Sequence, residues 1–377
     1  MTKVSNKDIY NRIIGHIKGT VEGPTLIFIG GIHGNEPAGV IALDKVLKVL
    51  NLEKINSKGN IYAIAGNLPA LQKKVRYQKN DLNRLWTQEN LNNLADGDYD
   101  LANPEFKELK DIYLTIKNIL NEEKGPFYFF DLHTTSSQTV PFITVNDSLL
   151  NREYTSQYPV PIILGIEEFL EGALLSYTNE LGYIAFGFEG GQHEDLDAID
   201  NHVAFINLSL VFCGSIPKDK IDFEKYFNHL SNKTKGLQSF YEIFKKYEIK
   251  PLVEFSMNLG FKNFQIVKKG QHLATSNGKT IIARLNCRIF MPLYQGKGND
   301  GFFMIRTIPK VFLNISKVLR KIHFDRILPL LPGVYWASNK KNELIVNLKI
   351  ARFFTKNFLH LLGYRSRKID EKYLRVK

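Results

Sequence analysis

The sequence predicts an α/β fold: a mostly parallel or mixed sheet flanked by helices, then a smaller C-terminal β-domain and a basic helical extension. Three observations carry this. From Thr25 onward, short apolar runs alternate with amphipathic stretches of helical period. After Pro251 the pattern changes to brief apolar runs cut by Gly270, "SNGK" and "GKGNDG". From about residue 315 the helical period returns, now rich in Lys and Arg.

Each element has its own signal. "TLIFIGG" (Thr25–Gly31) is short, apolar and ended by glycines, the pattern of a buried strand. In "AGVIALDKVLKVL" the residues Val40, Leu43, Leu47 and Leu50 recur at helical spacing. "NIYAIAGN" (Asn60–Asn67) is the next strand, and "PEFKELKDIYLTIKNIL" an amphipathic helix. "FYFFDLH" (Phe127–His133), "VPIILG" and "IAFGFEGG" follow as strands. Lys218 to about Tyr247 has a helical pattern, and the break at "PLLPG" interrupts the helical reading of the last part. The expected organisation is residues 1–248 as an α/β domain, 249–314 as a β-domain and 315–377 as the basic extension.

A chain of 377 residues can bury a large core and a smaller second one. Its net charge of +12 first suggests a nucleic-acid partner. The distribution argues otherwise: residues 315–377 carry +11, and residues 1–314 only +1. The N-terminal "MTKVSNKDIYNRIIGHIKG" lacks the apolar run of a secretory signal, and nowhere is there the ~20-residue apolar stretch of a membrane helix. Cys213 and Cys287 sit in apolar contexts and read as reduced thiols of a cytoplasmic protein.

The chemistry lies where the strands end. His33 and Glu36 follow the first apolar run, His133 ends another, and Glu189 ends a third. Ligands of open α/β sheets bind outside the carboxyl ends of strands, so these side chains are expected to converge. Two histidines and a carboxylate are a common protein shell for a catalytic zinc. Asp131, two residues before His133, is placed to orient that imidazole. A single histidine at a strand end is more often a plain core or surface residue; His193 stands apart from the other histidines because "EGGQHED" brings it near Glu189. In "VRYQKNDLNRLW", Arg76, Asn83 and Arg84 lie in a polar loop, and an arginine fork suits a carboxylate.

The motifs "GGIHGNE", "RYQKNDLNR", "DLHTTSS" and "FEGG" occur in this order over roughly residues 22–310. Together they resemble those of the succinylglutamate desuccinylase/aspartoacylase family, relatives of the zinc carboxypeptidases. The resemblance implies a carboxypeptidase-like α/β domain capped by a β-domain, with one zinc ion per chain held by His33, Glu36 and His133. It implies Glu189 as the catalytic glutamate and Arg76 as the group that polarises the scissile carbonyl. Asn83 and Arg84 match the pair that holds a substrate carboxylate, and Tyr294 in "MPLYQGKGNDGFF" matches, through differing flanks, a substrate-contacting tyrosine. The basic extension inherits no role.

The expected activity is therefore zinc-dependent cleavage of the amide bond of an N-acyl amino acid or similar small carboxylate-bearing amide. An alternative is a zinc carboxypeptidase-type peptidase on short peptides. A further one is a non-catalytic protein that binds a membrane or nucleic acid through "SKVLRKIHFDRILPLLPG" and "LKIARFFTKNFLHLLGYRSRK". The favoured reading of those segments has their apolar faces packed on the body or on a second subunit, with the charges in solvent.

Overall fold

A computed structural model of the chain describes residues 10–100, 102–337, 343–347, 350–351, 366–368 and 373–376. The first strands are β1 (Ile13–Ile17), β2 (Val21–Gly30), β3 (Lys58–Ala65), β4 (Phe127–Thr135), β5 (Phe142–Val145), β6 (Ile162–Leu164), β7 (Ile184–Gln192) and β8 (Phe240–Glu248). The next are β9 (Phe255–Met257), β10 (Ile266–Val267), β11 (His272–Ser276), β12 (Lys279–Ile282), β13 (Cys287–Phe290) and β14 (Asp300–Thr307). Eleven of them form one mixed sheet in the order β1-β3-β2-β4-β7-β5-β6-β8-β14-β13-β10. Its centre is parallel, β3 with β2, β2 with β4 and β4 with β7.

The central strands are apolar at successive positions because both faces are covered. Along β2, Leu26 and Phe28 face one core and Ile27 and Ile29 the other. The helices are α1 (Ala38–Leu52), α2 (Leu68–Lys73), α3 (Gln88–Asp96), α4 (Pro104–Glu122), α5 (Leu149–Thr155), α6 (Leu174–Glu180), α7 (Leu196–Phe212) and α8 (Phe223–Lys233). Leu43 and Leu47 of α1 and Phe205 of α7 fill the first core; Ile112 and Ile116 of α4 and Leu174 of α6 fill the second. Within the first, Phe188 and Phe205 stack at 4.1 Å between centroids.

The helical reading of 218–247 holds only for α8; from Phe240 the chain is β8. Burial there has period two, with Tyr241 and Ile243 inside and their neighbours partly exposed. β8 pairs with β6 on one side and β14 on the other. The strands after Pro251 therefore continue the main sheet through β14, β13 and β10, and add a three-stranded sheet, β12-β11-β9.

α9 (Lys310–Lys321) crosses the expected boundary at 315 and is helical, as the period from there predicts. Beyond Leu330 the extension's described residues add β15 (Val334–Trp336), β16 (Leu344–Asn347), β17 (Ser366–Lys368) and β18 (Tyr373–Val376), a four-stranded antiparallel sheet that the helical reading did not contain. The segment 352–365, read as basic and helical, lies outside the described residues. The side of α9 that meets the body mixes apolar and polar residues: Leu313 packs on the first core, Ser316 is buried and Arg320 reaches an acid. Arg320 and Arg152 flank the fully buried carboxylate of Asp147 at 3.1 and 2.5 Å, while Val311, Phe312 and Val318 are exposed. A buried carboxylate needs cations beside it, and that fixes which face turns inward. Among the described residues no helix is long and apolar enough to cross a membrane.

Candidate functional site

β2 delivers the chain to a tight turn before α1. At Gly34 a β-carbon would lie 2.0 Å from the carbonyl carbon of Ala70, so only glycine fits. The Gly34 N–H donates to the Arg76 carbonyl at 3.2 Å, and the Glu36 N–H to the His33 carbonyl at 3.1 Å. This fold of the backbone turns His33 and Glu36 towards the end of β4. There His33 Nδ1 lies 2.9 Å from Glu36 Oε1, and His133 Nδ1 lies 3.1 Å from Glu36 Oε2. All three side chains are buried, and their ligand atoms lie within 4.8 Å of one another.

This donor set fits a divalent metal ion of the zinc type. Two imidazole nitrogens and a carboxylate face one point, and the other nitrogen of each ring is backed by an acid. His33 Nε2 is 3.0 Å from Asp81 Oδ1, and His133 Nε2 is 2.8 Å from Asp131 Oδ2. Burial opposes ionisation of Glu36, yet the two histidines hold its carboxyl well below the usual range. Burial likewise disfavours a charged His133, but Asp131 and Glu36 raise its pKa well above the ordinary value.

Arg76 crosses this group. Its Nη1 is 3.4 Å from Glu36 Oε1 and its Nη2 is 3.1 Å from Asp81 Oδ2. Burial works against its charge, and those two carboxylates more than compensate. The loop that carries it is held from below by Glu105, whose buried carboxylate accepts the N–H groups of Gln78, Lys79 and Asn80 at 2.7, 3.1 and 3.2 Å.

Glu189 sits opposite His133 in the β4–β7 register. Its Oε2 is buried and has no hydrogen-bond partner among the described residues. Burial, reinforced by the charges of Glu36 and Asp131 and partly offset by His133, pushes its pKa up to about 8. Glycine follows Glu189 in β7 because α7 comes too close for a side chain: a β-carbon at Gly190 would lie 2.2 Å from His202 Cε1.

Two connected chambers result. The inner one, about 90 Å³, is lined by the His33–Glu36–His133 group, Arg76, Asn83 and Glu189 among others. The outer one, about 400 Å³, is lined among others by His193, Lys246, Gln295 and Asp300; Arg76, Arg84 and Thr134 line both. The structure thus brings together every predicted site residue but Tyr294. That tyrosine's hydroxyl accepts from the Phe261 N–H at 3.0 Å and donates to the Asn258 carbonyl at 2.8 Å, in the segment after β9. Its neighbour Gln295 reaches the site instead, 3.2 Å from His193 Nε2 and 3.3 Å from Asn35 Nδ2.

Sequence reasoning passed over Asp81, Glu105, Lys246 and Asp300. Asp81 stands inside the quoted loop, between two arginines, and that was its one signal. The others come from distant segments with no local pattern.

Residues 22–204 match the family model described as the succinylglutamate desuccinylase/aspartoacylase catalytic domain. The matched span contains all four motifs that carry the resemblance. Over 62 residues the chain is 40% identical to a succinylglutamate desuccinylase of Photorhabdus laumondii, which is 16% of this chain and only 19% of that protein. Solved structures share the fold at lower identity. A succinylglutamate desuccinylase/aspartoacylase from Rhodobacter sphaeroides gives a TM-score of 0.58 at 15% identity, over 78% of this chain and 88% of the other. The succinylglutamate desuccinylase of Vibrio cholerae gives 0.58 at 13% identity, over 80% and 96%. A product-bound ectoine utilization protein from Ruegeria pomeroyi gives 0.55 at 16% identity, over 78% and 88%.

Proposed function

We propose that the chain is a zinc-dependent hydrolase that cleaves the amide bond of an N-acyl amino acid or a similar small carboxylate-bearing amide. The observation that carries this reading is the buried His33–Glu36–His133 group sharing one small chamber with Glu189, whose Oε2 has no hydrogen-bond partner among the described residues. The names of the matched family and of the curated relative, desuccinylase and aspartoacylase, support it.

A zinc ion held by the three side chains would polarise the amide carbonyl and acidify a bound water. The chain's own groups do the rest. Glu189, which lines the inner chamber with its Oε2 unpartnered among the described residues, takes a proton from water and returns it to the departing amine nitrogen. Arg76, kept charged by Asp81 and Glu36, has an Nε without a partner among the described residues and stabilises the developing oxyanion. Arg84 and Asn83 orient the substrate through a free carboxylate. The inner chamber, at about 90 Å³, suits a small acyl group better than a peptide chain and so favours a deacylase over a peptidase. The two cysteines are free thiols, which supports a cytoplasmic setting.

The test is amine release from acetyl, succinyl and longer N-acyl amino acids by zinc-loaded protein, with metal content measured alongside. Glu189→Gln should keep its zinc and lose turnover by roughly 10²–10⁴-fold. His33→Ala should lose zinc. A fully active Glu189→Gln protein would remove the glutamate from the mechanism, and unchanged zinc in His33→Ala would remove that ligand.

A further inference from the structure

Two cations share one carboxylate on the wall of the outer chamber. Arg84 Nη2 lies 3.1 Å from Asp300 Oδ2, and Lys246 Nζ lies 2.6 Å from Asp300 Oδ1. Lys246 comes from β8 and Asp300 from the first position of the paired strand β14, whereas Arg84 belongs to the loop after α2. Lys246 is fixed further by donating to the Phe169 carbonyl at 3.0 Å. Arg84 gives Nη1 to its neighbour's carbonyl, Asn83, at 2.9 Å. A guanidinium has five N–H donors, so Arg84 retains some for a ligand.

The charge count is informative. Arg84, Lys246 and Asp300 together carry one net positive charge, enough to balance one incoming carboxylate. The other arginine on this wall, Arg76, already lies between Glu36 and Asp81. The mouth adds Glu248, which repels a second anion.

We propose that Asp300 and Lys246 are specificity-determining residues that set the Arg84 anchor to accept a single carboxylate. The substrate class is then a neutral acyl group on a neutral or basic amino acid, and molecules with a second carboxylate, on the acyl or the amino-acid side, are excluded. The inference rests on the deacylase reading for its substrates, but the anchor itself is a property of binding. Asp300 acts by neutralising part of the Arg84 and Lys246 charge; it does not touch the reacting atoms.

The two partners predict opposite effects. Asp300→Asn raises the cluster to +2, and kcat/KM for N-acetylaspartate relative to N-acetylleucine should rise about tenfold or more, through KM. Lys246→Met lowers it to zero, and KM for N-acetylleucine should rise about tenfold with kcat little changed. Calorimetric titration of each zinc-loaded full-length protein with free leucine and free aspartate reads the same preference without turnover. Folding of each variant is checked by circular dichroism. If folded Asp300→Asn and Lys246→Met both leave the aspartate-to-leucine binding ratio unmoved, the proposal is overturned. If no protein releases amine but the binding ratio moves in opposite directions, the anchor stands and the deacylase reading falls.

Discussion

Asp81 Oδ1 lies 3.0 Å from His33 Nε2, and the same carboxylate reaches Arg76 Nη2 at 3.1 Å with its other oxygen. One acid therefore sets the orientation of an imidazole and of the guanidinium beside it. Burial alone would raise the pKa of Asp81; the charges of His33, Arg76 and Arg84 instead hold it far below the usual carboxylate range. Asp81→Asn keeps the shape but puts an uncharged group, with N–H donors of its own, in that place. Zinc affinity should fall about 10–100-fold, as it does when an acid behind a metal-ligating histidine is lost. Zinc titration against a competing chelator measures this, and an unchanged affinity would show that His33 needs no support.

Glu105 is a longer lever on the same loop. Its carboxylate, fully buried at the start of α4, is the acceptor for three consecutive N–H groups at 78–80. Without it those donors face a buried gap. Glu105→Ala should cost about 2–4 kcal/mol in urea unfolding, since each bond to a charged acceptor is worth ~1.5–3 kcal/mol and part is recovered by water. Glu105→Gln keeps one oxygen and should recover part of the loss. Turnover should fall further than zinc content in the alanine variant, because Arg76 and Arg84 stand on this loop while the metal group touches it only through the Asp81–His33 contact. Equal falls in both would place the effect on the ligands.

Much of this site was legible because its parts sit where short, apolar strands stop. The run "TLIFIGG" and the glycine turn after it fix His33 and Glu36 locally; "FYFFDLH" does the same for His133. The period-two burial of β8 was hidden, since "FYEIFKKYE" also places apolar residues at helical spacing and only pairing with β6 and β14 decides between them. Tyr294 was misplaced for a related reason. A one-residue shift in an irregular loop turns Gln295 into the chamber and commits the tyrosine hydroxyl to the backbone of the segment after β9. The Arg84–Asp300 contact spans 216 residues, and no local pattern reveals a pairing at that distance.

Gly190 tests how closely α7 must approach the end of β7. Added methyl bulk would meet the His202 ring at 2.2–2.3 Å. The ring is also gripped by the Ala198 carbonyl, 2.6 Å from Nδ1, so it has little room to withdraw. Gly190→Ala should cost about 1–3 kcal/mol and reduce turnover by displacing the adjacent Glu189. Pairing it with His202→Ala should cost less than the sum of the two single changes, because the second removes the clash created by the first. Strict additivity in a double-mutant cycle would rule out that contact as the reason for glycine.

His202 itself gives the protein an acid limit. Its ring is fully buried against Phe188, and burial depresses its pKa from 6.5 to about 4. The folded state thus keeps the ring neutral down to about pH 4, while the unfolded chain takes up a proton below about pH 6.5. Between those values the unfolded state binds more protons, so stability falls as pH falls. From pH 7 to pH 5 the loss from this one ring is about 2 kcal/mol, with neutral His202 contributing its full stability above pH 6.5. His202→Gln removes the titrating group, so the variant's unfolding free energy should drop less over that interval than the parent's, by roughly the same 2 kcal/mol, whatever its stability at pH 7. Denaturant unfolding at pH 7, 6 and 5 supplies the comparison, and parallel pH profiles for the two proteins would show that the ring is not neutral in the folded state.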